Sequence, residues 1–278
     1  MIRIVADSGC ELPPELKNIP EPEVEIAPLT LQLGDKIYTD DEYLDVEEYI
    51  NAMESYSGAP KTAAPSPQSF LDRFAGRESV FMVTLSSKLS GTYNSAMTAK
   101  NICLEEGRAK FVHVFDSLSA SVGEYLIVDK ILEMSKKTTD NEEIVNAVNN
   151  FMSGMKTYFL LDRFDNLAKT GRVKPYIAQI ASMLSIKPVC EAQGGEIAML
   201  DKARGTTKAI SKLVDIICKE GSDFENKILA ISHVKAPEKA KQFKDEIVKR
   251  CNFKKIIVLE CRGLCSTYAA RGGLILSF

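Results

Sequence analysis

Histidine and tryptophan are almost missing from this chain, whose 278 residues include 2 His and no Trp. Histidine is the side chain that enzymes use most often as a general acid or base. The sequence therefore offers little material for histidine-centred catalysis, and we predict no catalytic residue.

The chain also lacks an excess of basic residues. It carries 35 Lys and Arg against 38 Asp and Glu, which gives a net charge of -3. Proteins that bind nucleic acid usually carry a basic excess, because they displace counterions from phosphates. We therefore expect no nucleic-acid partner.

Long apolar runs are missing too. No run approaches the ~20 residues of a membrane-spanning helix. The residues after Met1 do not contain the apolar region of a signal peptide. These absences predict a soluble, cytoplasmic protein with no integral membrane segment.

Cysteine is present, but not in a metal-binding pattern. Seven Cys stand at positions 10, 103, 190, 218, 251, 261 and 265, without a CxxC pair. Structural zinc sites need paired ligands at short spacing. We therefore predict no metal site and buried free thiols in a reducing compartment.

The first half of the chain alternates apolar strands with helices. Residues 2–6, 79–85 and 110–115 are continuous apolar runs, and residues 24–33 lead through Gly34-Asp35 into a hairpin with residues 37–39. Helical patterns lie between these runs. Apolar strands separated by helices indicate a mostly parallel sheet that is covered on both faces, a doubly wound α/β arrangement.

The second half mixes hairpins with helices. Residues 187–192 and 196–200 flank Gly194-Gly195, which predicts a β-hairpin. Helical patterns occupy residues 173–184, 206–219 and 237–248. We predict an α+β domain with a partly antiparallel sheet over residues 154–278, after an α/β domain over residues 1–153.

Polar loops follow three strands of the first half. They are Asp7-Ser8, residues 86–92 and residues 116–119, all rich in hydroxyl groups. In an open α/β sheet, ligands bind beyond the carboxyl ends of the strands. These loops predict an anion site, although each residue taken singly also fits a helix N-cap. No GxGxxG or Walker sequence occurs, so we expect no nucleotide cofactor.

Three further residues are candidates with an ordinary alternative. Thr62 lies in the proline-rich segment 60–67. Prolines extend the backbone before them, which fixes Thr62 toward a cleft or simply forms a linker. Arg172 follows Gly171 near a helix start, where it reaches a carboxylate or is solvated. Arg204 is a partner contact or an exposed turn.

Taken together, these segments resemble the DegV family of bacterial fatty-acid-binding proteins over essentially the whole chain. The block Ser90-Gly91-Thr92-Tyr93 is the most specific part of the resemblance. The other matching segments are Asp7-Ser8 with Glu11-Leu12-Pro13, Thr62 with Pro65-Ser66-Pro67, Asp116-Ser117 with Ser121 and Gly123, and residues 167–172, 186–188, 203–205 and 273–278.

The resemblance implies a carrier rather than an enzyme. Members of the family hold one long-chain fatty acid, such as palmitate, stearate or oleate, in a tunnel between two domains. The positions that match the family's carboxylate-binding residues are Thr62 and Ser90, with backbone N–H groups near Gly91 and with Arg172 nearby. The carrier presents the acid to a separate fatty acid kinase, so it needs no cofactor of its own.

The chain departs from the family's pattern at two places. The motif at Thr62 reads Thr-Ala-Ala-Pro-Ser and so loses a hydroxyl and an amide. Tyr268 stands where many members carry a His before a glycine-rich turn. Tyrosine donates a hydrogen bond to a carboxylate but cannot carry a positive charge near neutral pH.

Two alternative functions stay open at this point. One is a hydrolase or acyltransferase with Ser90 or Ser87 as its nucleophile, for which only His113 and His233 are available as a base. His113 lies inside an apolar strand, where a core position is more typical than a ligand. The other alternative is a carrier of another small carboxylate or lipid.

Overall fold

The computed structural model describes residues 2–16, 19 and 21–278. The strands are β1 (Ile2–Asp7), β2 (Glu23–Ala27), β3 (Thr30–Leu33), β4 (Lys36–Thr39), β5 (Lys61–Ala63), β6 (Arg77–Thr84), β7 (Ala109–Asp116), β8 (Thr157–Leu160), β9 (Ile186–Gln193), β10 (Glu196–Arg204), β11 (Ile228–His233), β12 (Lys255–Glu260) and β13 (Leu274–Ser277). The α-helices are α1 (Val46–Ser55), α2 (Pro67–Phe74), α3 (Thr92–Glu105), α4 (Val122–Ser135), α5 (Asn141–Gly154), α6 (Asp165–Lys169), α7 (Pro175–Ala181), α8 (Thr206–Glu220), α9 (Pro237–Ile247) and α10 (Gly263–Ala269).

A four-stranded parallel sheet organises the N-terminal half. Its strand order is β2-β1-β6-β7. Helices α2 and α3 cover one face through a cluster that includes Phe70, Phe74 and Val80, while α4 packs against β1 and β6 on the other face. The predicted doubly wound, parallel arrangement is therefore confirmed.

One strand prediction in this half was wrong. Residues 24–33 do not form a single strand, because β2 pairs in parallel with β1 while β3 belongs to a separate antiparallel sheet of order β4-β3-β5. Pro28 lies between them and has no N–H to donate to a ladder. The chain turns there, and Leu29 N donates to Ser8 Oγ at 3.0 Å. The predicted hairpin at Gly34, where φ is +62°, is present as β3–β4.

A six-stranded mixed sheet organises the C-terminal half, in the order β10-β9-β8-β13-β11-β12. All of its pairs are antiparallel except β11 with β12. Its outer face, with Tyr158 and Val189, packs against α8 and α9, whereas Phe159 and Cys190 on the inner face belong to a core shared with the N-terminal half. The predicted α+β class with a partly antiparallel sheet is confirmed.

The helices of the second half differ from the sequence prediction in extent. The helix predicted over residues 173–184 is the shorter α7, because Val173 is extended and bridges Ile197, and Pro175 sets the first helical position. The short helices α6 and α10 were not predicted. Residue 153 lies near the end of α5, and the division into domains 1–153 and 154–278 stays a prediction.

Cys218 and Cys251 form a disulfide, so the prediction that all seven thiols are free was wrong for this pair. Packing of α8 against α9 brings together two residues that lie 33 positions apart. Cys10, Cys103, Cys190, Cys261 and Cys265 are free and buried, as expected.

Among the described residues, no group of acid, Cys and His side chains is arranged to hold a metal ion. None of the helices in the described ranges is both long and apolar enough for a membrane span.

Candidate ligand-binding site between the two halves

An apolar cavity lies where the two halves meet. The loops after β6 and β7 supply Leu85, Leu89 and Ala120. The C-terminal half supplies the inner face of its sheet and two short helices, and its main wall residues are Phe159, Leu161, Leu167, Ile197, Leu264 and Ile275. The empty space is about 510 Å³ including the mouth. A wall of this kind suits an elongated apolar ligand.

Thr62 and Tyr268 meet at this cavity although they are 206 residues apart. Thr62 Oγ1 lies 2.8 Å from the hydroxyl oxygen of Tyr268, and Tyr268 also lines the cavity. Thr62 is held by β5, whose pairing with β3 places it opposite Leu31. The extended backbone that the prolines predict is therefore present, and the hydroxyl of Thr62 contacts a residue of the cavity wall. Pro67 also starts α2, as expected for a linker before a helix.

Ser90 and Gly91 form the start of α3. Ser90 Oγ lies 2.8 Å from Thr92 Oγ1 and accepts a hydrogen bond from Thr92 N at 3.3 Å. Gly91 is exposed in the N-cap position. Ser95 Oγ donates to Pro65 O at 2.6 Å, which ties this helix start to the segment that carries Thr62. The first turn of a helix presents unpaired N–H groups that favour an anion.

Arg172 joins the C-terminal half to the loop that precedes Ser90. Its Nε donates to Leu89 O at 3.4 Å, and its Nη1 donates to Thr170 O. The side chain is half-buried and lines the cavity. The guanidinium therefore brings a positive charge to the cavity wall beside Leu89, the residue before Ser90.

Helix α10 holds Tyr268 in place, and carboxylates of the other half anchor its first turn. Asp40 accepts from Gly263 N at 3.0 Å and from Leu264 N at 2.9 Å. Glu11 Oε1 accepts from Arg262 N at 2.9 Å. Burial raises the pKa of Asp40 above its usual value and raises the pKa of Glu11 to about 8. These anchors leave no signal in the sequence, because no local pattern links Asp40 to a residue 223 positions away.

Of the three polar loops, the one over residues 86–92 reaches the cavity through Leu89, the residue before Ser90. The carboxylate of Asp7 instead accepts from Gly9 N and Leu85 N at 2.8 and 2.7 Å. The carboxylate of Asp116 accepts from Ser87 N at 2.9 Å. These acids connect neighbouring loops to one another, and an anion site formed by all three loops stays a prediction.

The remaining candidates lie away from this site. Arg204 is exposed at the end of β10 and does not line the cavity. His113 packs between aromatic rings, and burial lowers its pKa to about 4. His233 Nδ1 accepts from Ala236 N at 3.3 Å. The hydroxyl of Ser90 pairs with Thr92 rather than with a histidine, so this geometry does not favour a serine nucleophile.

Comparisons with known proteins agree over the whole chain. A family profile described as "Uncharacterised protein, DegV family" matches residues 1–277. A DegV domain-containing protein of Streptococcus gordonii is 36% identical over 278 residues, which are 99% of this chain and 98% of that protein.

Two solved structures share the fold. A DegV family protein of Ruminococcus gnavus, described with vaccenic acid, has a TM-score of 0.93 at 35% identity, covering 100% of this chain and 99% of its own. The fatty acid kinase (Fak) B3 protein of Streptococcus pneumoniae, loaded with linoleic acid, has a TM-score of 0.92 at 33% identity, covering 100% and 98%. The resemblance seen in the sequence is confirmed: this chain belongs to the DegV family.

Proposed function

We propose that this protein is a carrier that holds one long-chain fatty acid, such as palmitate, stearate or oleate, in the cavity between the halves 1–153 and 154–278. The observation that carries the proposal is the cavity itself, with an apolar wall that includes Tyr268 and Arg172 and with Thr62 in contact with Tyr268. The solved relatives described with vaccenic and linoleic acids support it. The protein acts without a cofactor and is not an enzyme.

The apolar wall would supply most of the affinity. Each buried methylene contributes about 0.8 kcal/mol, so about fifteen methylenes contribute on the order of 12 kcal/mol before costs. Association and ordering offset a large share of this energy. A tunnel lined by Phe159, Leu161 and Ile275 therefore needs few polar contacts to hold the chain.

The carboxylate would be held by neutral donors and one cation. An anion that is buried without partners is strongly unfavourable. The hydroxyls of Thr62, Ser90 and Tyr268, the N–H groups that follow Gly91 and the guanidinium of Arg172 together offset that cost. These donors orient the headgroup toward the mouth, where another protein can reach it.

A separate fatty acid kinase is the proposed partner. The similarity to the S. pneumoniae Fak B3 protein supports this role. The chain has no nucleotide-binding motif of its own, so ATP would come from the partner. Arg204, which is exposed next to the turn where Gly205 N donates to Ser185 O, is our candidate for a partner contact.

Removal of two hydroxyls tests the headgroup assignment. We expect Thr62→Ala combined with Ser90→Ala to weaken binding of palmitate or oleate at least about tenfold, because hydrogen bonds to a charged group contribute about 1.5–3 kcal/mol each. Native mass spectrometry with added fatty acid would measure the affinity. Thr138→Ala with Ser182→Ala, which changes the same residue types at positions that do not line the cavity, is the matched control.

The same spectra separate the alternatives. Equal binding by the double variant and its control would contradict the assignment of Thr62 and Ser90. An acyl group that stays attached after denaturation would indicate a serine nucleophile instead of a carrier. A bound molecule other than a fatty acid would identify a carrier of another carboxylate or lipid.

A further inference from the structure

A second open space adjoins the cavity between the two halves. We call it the distal groove, and its main lining residues are Ser117, Leu118, Met152, Met155, Thr157 and Ala192. Its empty space is about 780 Å³ including the open mouth. It lies between the end of α5, the loop after β7 and the β9–β10 hairpin.

At three places, a residue that lines the cavity is a close neighbour of a residue that lines the groove. In the loop before α4, Ala120 lines the cavity and Ser119 lines the groove. On the inner face of β8, Phe159 lines the cavity and Thr157 lines the groove. Residues two apart on a strand share a face. The groove is therefore continuous with the sheet face that forms the cavity wall.

The third connection crosses from β10 to β9. Ile197 on β10 lines the cavity, and its direct register partner on β9, Ala192, lines the groove. Side chains opposite each other in an antiparallel pair are about 5 Å apart. The buried side chain of Ile197, 4% exposed, is thus the partition between the two spaces.

The groove fits an apolar chain better than a second headgroup. Within the described residues, no charged side chain lines it. Its buried hydroxyls already bond to one another, since Ser119 Oγ lies 2.7 Å from Thr157 Oγ1, which lies 3.1 Å from Ser277 Oγ. An apolar tail that covers them leaves no hydroxyl unpaired. Met152 and Met155 are flexible side chains that adapt to a chain of variable length.

From this continuity we propose that the distal groove takes the end of acyl chains that are too long for the inner cavity, and that Ile197 sets the chain length at which the groove is entered. The inference rests on the proposed fatty-acid function. It assigns Ile197 and Ala192 as residues that determine which acids are carried, and it gives neither of them a role at the headgroup.

Two opposite variants test the proposal. Wild type and each variant would be mixed separately with an equimolar series of saturated acids from about 12 to 24 carbons, which compete for the protein. Each added methylene in a dry site is worth about fourfold in Kd. Ile197→Ala should open the partition and raise the ratio of long to medium chains bound at least about tenfold. Ala192→Leu should fill the groove and lower that ratio, without weakening medium chains.

The control separates the partition from general loosening of the core. Ile231→Ala removes the same side chain from the outer face of the same sheet, where it touches neither space, and should leave the chain-length profile unchanged. A profile of folded Ile197→Ala that matches this control would overturn the proposal. If Ile197→Ala does not fold, an unchanged profile of Ala192→Leu overturns it instead. Wild-type protein that binds no acid of any length would refute the proposed function itself.

Discussion

At the scale of residues, the proposed headgroup site combines hydroxyl donors with one guanidinium. The hydroxyls of Thr62 and Tyr268 lie 2.8 Å apart, and Arg172 is the charged side chain among the cavity's lining residues. A hydroxyl contributes direction to a bound carboxylate, whereas the guanidinium contributes charge as well. We therefore expect Arg172 and Tyr268 to differ in their effect on affinity.

Tyr268→Phe removes one donor and keeps the ring that lines the cavity. A net hydrogen bond is worth about 0.5–1.5 kcal/mol, so we expect a loss of fatty-acid affinity of about two- to tenfold. Arg172→Gln should cost more, because hydrogen bonds to charged groups are worth about 1.5–3 kcal/mol. Displacement of a fluorescent fatty acid would measure both. Tyr176→Phe, at a residue 46% exposed and outside the cavity, is the control.

A larger loss for Tyr268→Phe than for Arg172→Gln would contradict this view of the site. It would mean that the hydroxyl, rather than the cation, dominates headgroup binding. Such a result would also place Arg172 with its backbone partners, Leu89 O and Thr170 O, as a purely structural residue.

At the scale of elements, α10 connects the site to the rest of the molecule. It has seven residues, and a helix of that length is unstable alone. The N-terminal half stabilises it through Glu11 and Asp40 at its first turn and through the hydroxyl of Tyr49, which lies 2.7 Å from Thr267 Oγ1. The helix that carries Tyr268 is therefore positioned by the opposite half of the protein.

The buried anchor Glu11 predicts a pH dependence of stability. Burial raises its pKa to about 8, although the Arg262 N–H and guanidinium oppose the shift, and the unfolded chain titrates near 4.3. Between these values the folded state keeps a proton that the unfolded state loses. The contribution of Glu11 to the free energy of unfolding therefore falls as pH rises toward 8. The neighbouring acids Asp7, Asp40 and Glu124, whose pKa values are also raised, add to this trend.

Glu11→Gln should flatten this profile. The amide has no proton to lose, so its free energy of unfolding should decline less from pH ~5 to ~8 than that of wild type. Urea unfolding at a series of pH values would measure both proteins. Glu15→Gln, at an exposed position, should follow the wild-type curve. Parallel curves for Glu11→Gln and wild type would show that Glu11 ionises normally in the folded protein.

Elements with a strong local signal could be predicted from the sequence. Helix α1 begins after Asp45, whose carboxylate accepts from Glu48 N at 2.9 Å as the N-cap pattern predicts. The apolar strands of the parallel sheet were equally clear. Strand β5, which completes the small sheet, and helix α10 were not, because β5 has three residues and α10 seven, too few to show a period.

The sequence supplied candidate residues for the proposed site but not their arrangement. Thr62, Ser90, Arg172 and Tyr268 came from the family resemblance, and the structure places Thr62 beside Tyr268. The buried anchors could not be found, because a carboxylate that binds backbone N–H groups 223 residues away leaves no mark in local sequence. The residues that line the cavity could not be distinguished from ordinary core residues, because both groups are apolar.

At the scale of the whole molecule, one core spans both halves. The largest cluster of buried apolar residues includes Phe81 and Ile131 from the first half and Phe159 and Ile275 from the second. Ser121 Oγ also lies 2.7 Å from Ser232 Oγ across the junction. The cavity interrupts this shared core, so a bound acyl chain would complete the packing between the halves. Ligand that binds only the folded state adds to its stability.

The proposed carrier function requires that the space between the halves holds a fatty acid. The most direct measurement is native mass spectrometry of the purified protein, followed by extraction and identification of whatever it carries. We expect one long-chain fatty acid per chain, or uptake of one equivalent of palmitate, stearate or oleate after lipid removal. A protein that carries no acyl chain and takes up none of these acids would contradict the claim.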